Sequence, residues 1–108
     1  MTTFDEREQA FEKKFKHDQE LRFKANARRN KLIGLWAAAQ MGLRGPDADT
    51  YAKAVVDADL GKPAGHGARD KVLKDLTAKG ISTTGAEIER EMERLLAVAK
   101  EEVARRPG

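Results

Sequence analysis

The sequence predicts an all-α protein, a small four-helix bundle with a long N-terminal helical segment that is partly mobile when free. Two observations carry this. Apolar residues recur at helical spacing, and alternation of period two never lasts, so strand signals are nearly absent. Glycine and proline cluster near residues 42–46, 61–67 and 80–85, and divide the chain into four stretches.

The first helical region ends near Met41, where Gly42 offers a left-handed cap. Gly45-Pro46 opens the second, with proline in the first turn. Its inward stripe is Ala48, Tyr51, Ala52, Val55, Val56 and Leu60, and Gly61 ends it. The third helix spans about Ala68 to Lys79 and buries Val72, Leu73 and Leu76. Gly80 followed by Ile81 reads as its cap and hydrophobic contact. Thr84-Gly85-Ala86-Glu87 fits a capping box, so the fourth helix starts there. Ile88, Met92, Leu95, Leu96, Ala99 and Val103 form its stripe, and Glu101–Arg105 and Glu102–Arg106 are expected to pair across its last turns.

The front of the chain is unusual. Phe4, Phe11 and Phe15 stand in dense charge, and on a helical wheel they share roughly 40° of arc. The following stripe, Leu21, Ala25, Leu32, Leu35, Trp36 and Ala39, is centred roughly 90° away. Asp18 and Arg22 interrupt the first stripe. Either the chain bends near Lys16–Glu20, or the phenylalanines face a surface other than the core. The predicted core begins at Leu32–Trp36, and an isolated short helix is marginal in water. Residues 1–18 are therefore expected to be a mobile docking segment, and residues 19–108 the four-helix domain.

With 108 residues the chain is one domain. The net charge of +3 is mild, with nine basic and six acidic residues in 1–31. There is no cysteine, which excludes disulfides, a thiolate nucleophile and cysteine metal clusters. No apolar run approaches a membrane span. Charge from Asp5 onward argues against a secretory signal. The expected compartment is the cytoplasm.

Enzyme constellations are poor. Ser82 is the only serine, and His17 and His66 fall on different elements. His66 and Asp70 are two potential ligands, short of a protein zinc site. The loop 61–67 holds glycines and a lysine but lacks the ordered phosphate-loop pattern and follows a helix rather than a strand. Arg28-Arg29-Asn30-Lys31 reads as a solvated basic face, with Arg28 partly covering the core, or as a contact patch.

The rival reading is nucleic-acid binding by a helix-turn-helix built from residues 68–79 and 85–105. Its recognition helix would present Glu87, Glu89, Glu91 and Glu93 to phosphates, which is repulsive. For the phenylalanine stripe, core packing and docking are evenly matched on the residues alone.

The residues also carry a resemblance. Thr2-Thr3-Phe4-Asp5-Glu6-Arg7-Glu8, then Ala10-Phe11-Glu12, Lys14-Phe15 and His17-Asp18, resemble the opening of the zeta inhibitor subunits of alphaproteobacterial F-type ATP synthases. Leu21-Arg22-Phe23-Lys24-Ala25, the run Ala27 to Ala38, Tyr51-Ala52-Lys53, Val55-Val56 and Ala58-Asp59-Leu60 extend the similarity. After Leu60 the chain departs from that pattern, with Gly61–Gly67 in place of an acidic stretch.

The resemblance implies a non-catalytic four-helix regulator that inhibits ATP hydrolysis by inserting its N-terminal helix into the catalytic head. The residues it implies for partner binding are Phe4, Asp5, Arg7, Glu8, Phe11, Lys14 and Phe15. Expected partners are the catalytic-head subunits, with no nucleic acid and no direct membrane insertion. The free protein is expected to be a monomer, held at the inner membrane only through the ATP synthase. No metal or cofactor is expected, although the resemblance raises nucleotide binding.

Overall fold

Four helices make up the structure, a computed structural model that describes the backbone of residues 3–105 and the side chains of residues 17–105. They are α1 (Thr3–Gln40), α2 (Gly45–Ala58), α3 (His66–Ala78) and α4 (Gly85–Arg105). No strand occurs among the described residues. The predicted fold class holds, and each predicted boundary falls within about two residues of the observed one.

The helix ends form where local chemistry places them. Gly42 and Gly80 adopt positive φ, 81° and 75°, at the ends of α1 and α3. Leu43 N–H then reaches back to the Ala38 carbonyl at 2.8 Å, and Ile81 N–H to the Leu76 carbonyl at 3.0 Å. Both are Schellman closures that satisfy orphan carbonyls and tuck an apolar residue under the helix. At the start of α4 the Thr84 hydroxyl accepts from Glu87 N–H at 3.2 Å. The return half of the capping box is altered, because the Glu87 carboxylate accepts from the Thr83 hydroxyl instead.

The core gathers Ile33 and Ala37 of α1, Val55 of α2, Ala68, Val72 and Leu76 of α3, and Ile88, Met92 and Leu95 of α4. Leu32, Trp36, Tyr51, Leu73 and Ile81 pack on its flanks. The α4 stripe is as predicted at Ile88, Met92, Leu95 and Ala99.

In α1 the predicted register needs correction. Among the described residues its buried ones are Ala25, Arg29, Asn30, Ile33, Gly34, Ala37 and Ala38, whereas Leu35 is half-buried and Ala39 is exposed. Both α2 and α4 pack along α1, so its buried arc is wide and centred on small residues. A Cβ on Gly34 would lie 2.7 Å from the Ala52 Cα, which shows how closely α1 and α2 approach. The larger Leu32 and Trp36 fit only at the edges of this contact.

This rotation removes one argument for a special N-terminal surface. On a regular helix Arg29 and Ile33 occupy the same roughly 40° arc as Phe4, Phe11 and Phe15. The two faces agree, and α1 is continuous through Lys16–Glu20. The expected mobility of residues 1–18 falls largely on side chains outside the described residues.

Leu60 is a second correction. Predicted as inward, it is 65% exposed, because α2 stops at Ala58 and the chain turns before it. The next helix begins in tight contact with this turn. A Cβ on Gly67 would sit 2.2 Å from the Ala58 carbonyl oxygen and 2.8 Å from the Asp59 Cα. Backbone atoms cannot swing aside, so Gly67→Ala must push α3 off α2. The expected cost is about 2 kcal/mol, read as a lowered midpoint in urea unfolding at unchanged slope.

Candidate functional site

The long helix α1 carries every residue assigned above to partner binding. Phe4, Asp5, Arg7, Glu8, Phe11, Lys14 and Phe15 lie along its first half. Their side chains are outside the described residues. The described part shows where the bundle stops. His17 to Glu20 are exposed, Leu21 is half-buried, and Ala25 is the first buried residue. From Glu20 back to His17 the helix has no cover, so α1 leaves the bundle there.

A polar anchorage fixes the point of departure. Arg28 Nε donates to the Glu102 carboxylate at 2.6 Å, tying α1 to α4. Each side chain of this pair is about one-third exposed or less, so solvent screens it only partly. Next to it, Arg29 and Asn30 are buried, at 7% and 3% exposure. They are not the solvated basic face the sequence suggested.

Asn30 reaches across to Asp59, donating from Nδ2 to Oδ2 at 2.9 Å. The same carboxylate accepts from the backbone N–H of Gly65 at 2.9 Å and of Ala68 at 3.1 Å. It thus caps α3 from outside and joins three helices at one group. Burial pushes the Asp59 carboxyl up, but the N–H donors of Gly65, Ala68 and Gly67 and the Asn30 amide outweigh it and hold the pKa below the ordinary value. Burial lowers the Arg29 pKa, and the nearby Asp59 charge partly restores it. Arg29 Nε donates to Asn30 Oδ1 at 3.0 Å, while its Nη2 is buried without a protein acceptor.

Asp59 also bears on the glycine-rich loop. The amides that would meet a phosphate at the start of α3 are already bonded to this carboxylate. His66 is exposed. Among the described residues no group of three or more His, Cys, Asp or Glu could hold a metal.

The helix-turn-helix reading fares no better. Glu87, Glu89 and Glu93 are exposed on α4, and Glu89 already pairs with Arg69 of α3 at 2.6 Å. That surface mixes these carboxylates with the exposed Arg90 and Arg94, so it is not the basic face a nucleic acid needs. On the far side of α3, Tyr51 donates its hydroxyl to Asp75 at 2.8 Å, and Lys71 bridges the same carboxylate at 3.1 Å. The Tyr51 bond ties α2 to α3, and the Lys71 pair lies within α3.

The sequence profile of the family described as ATPase inhibitor subunit zeta matches residues 1–102. The chain belongs to that family. A solved solution NMR structure is 43% identical and superposes with a TM-score of 0.67, covering 78% of this chain and 95% of that one. No curated protein matches. Membership in the zeta family gives the chain an inhibitory, regulatory role in general terms, with the ATP synthase as partner. No helix among the described residues is long and apolar enough to cross a membrane.

The sequence passed over three features of this zeta-family bundle. Asn30 sat inside an apparent basic run, and Asp59 entered only among the residues that carry the resemblance. Phe23, on neither predicted stripe, is 69% exposed. Its position off both stripes was the available signal that it faces outward.

Proposed function

We propose that this protein is a non-catalytic inhibitor of ATP hydrolysis by the F-type ATP synthase, acting by insertion of the first half of α1 between catalytic-head subunits. Phe4, Phe11 and Phe15 fill apolar pockets there, as aromatic anchors of a helix in a groove do. Asp5, Arg7, Glu8 and Lys14 set the register by charge pairing. The partners are protein subunits alone, and the free chain is a monomer. It sits at the cytoplasmic face of the inner membrane only through the ATP synthase. No cofactor takes part in this docking.

One observation carries the reading. The helix continues well beyond the point where the bundle ceases to cover it. A stable domain gains nothing from such an extension, whereas a docking segment requires it. The family match supports an inhibitory role, and the helix running on past the exposed stretch from His17 to Glu20 supports a docking segment there.

Deleting residues 1–18 tests this. The remaining chain is expected to keep a cooperative helical melt, because the first buried residue among those described is Ala25. It is expected to lose inhibition of ATP hydrolysis by the ATP synthase of the same organism. Retained inhibition would refute the insertion mechanism. Loss of the cooperative transition would return the phenylalanine stripe to the core.

A further inference from the structure

Phe23 and Leu60 are the exposed large hydrophobic residues of the described chain, at 69% and 65% exposure. They do not stand apart. Both line one open groove of about 370 Å³ between α1 and the turn after α2, with Ala27, Val56 and Ala64 completing its apolar surface. Isolated exposed apolar residues are ordinary, but two large ones lining the same apolar groove mark a contact surface.

The polar groups beside the groove narrow the partner. The Asp59 carboxylate is spent on Asn30, Gly65 and Ala68. Lys62, also lining the groove, is exposed and has no acidic partner among the described residues. An occupant that presents an apolar side chain with a flanking carboxylate matches both features. The groove also continues the proposed docking helix. Phe23 follows Asp18 by five residues, or about 7.5 Å along the same helix. A partner that holds residues 1–18 therefore borders this surface.

We infer that the Phe23–Leu60 groove is a second docking surface for the catalytic head of the ATP synthase, occupied by an apolar, acid-flanked segment of a head subunit. The inference rests on the insertion reading for its partner but uses different residues. The two can therefore fail separately.

The test compares full-length variants for binding to the purified catalytic head. Phe23→Ser with Leu60→Ser is expected to weaken binding about tenfold or more while leaving the thermal melt nearly unchanged, since both side chains are exposed. Lys62→Glu is expected to slow association and change its salt dependence. The chain has no cysteine, so Leu60→Cys can be labelled at one place with a photoreactive maleimide. Cross-linking to a head subunit is the expected result, and it decides the matter if the serine variant proves unstable.

Wild-type binding by the serine variant would overturn the inference. So would a cross-link to a second copy of this chain, which would make the groove a self-interface. Phe11→Ala with Phe15→Ala runs alongside. If that variant binds normally while the groove variant does not, the insertion reading falls and the groove stands.

Discussion

Phe11→Ala combined with Phe15→Ala is expected to abolish inhibition of ATP hydrolysis while barely moving the melting temperature. The two residues are four positions apart on α1, and in the proposed docking they serve as one anchor. Truncating a buried aromatic anchor costs about 2 kcal/mol or more. Two such losses total about 4 kcal/mol, a fall of roughly a thousandfold in affinity. The fold should not notice, because α1 lacks cover from His17 to Glu20. Binding kinetics beside a melt of each variant makes the measurement. A control at Glu6→Ala should lose far less, since it lies on another part of the wheel. A double variant that still inhibits would sink the anchor assignment.

The second large effect concerns stability. Asp59→Ala removes the group that Asn30, Gly65 and Ala68 share. Hydrogen bonds to a charged acceptor contribute about 1.5–3 kcal/mol each, but bonds to one carboxylate are not additive. The buried Arg29 also loses the Asp59 charge that favours its charged form. We expect a loss of about 3 kcal/mol in urea unfolding, a large share of the stability of a domain this small. Asp59→Asn should recover part of it, because an amide oxygen can still accept.

The same carboxylate sets a pH response. Its folded pKa lies below its unfolded value, so its contribution is fully present above the unfolded value, about 3.9. That contribution is lost as pH falls through the folded pKa. An acid titration of stability should therefore drop less steeply below about pH 4 in Asp59→Asn than in the wild type.

Local punctuation was legible because its causes are local. Gly42, Gly80, Pro46 and Thr84 act on neighbouring peptide groups, and the helices start and stop where they stand. The stripe of α4 was legible because only one face of that helix meets the core. The register of α1 was not, because two helices pack on it and the closest contacts favour Gly34, Ala37 and Ala38 over the bulkier Leu32 and Trp36. Hydrophobicity alone ranks those residues in the opposite order. Asn30 and Asp59 are 29 positions apart, and only the closed fold brings the amide to the carboxylate. Leu60 looked inward because helical spacing was extended two residues past the true end of α2.

The unbroken run of α1 gives the molecule a rod with a collar. From Thr3 to Leu21 the rod measures about 27 Å. Beyond it the width of three further helices prevents deeper entry into any narrow channel. The bundle thereby acts as a depth stop. Under the proposed insertion it would fix how far the tip travels into the catalytic head, and a lengthened or shortened rod would place the same tip at a different level.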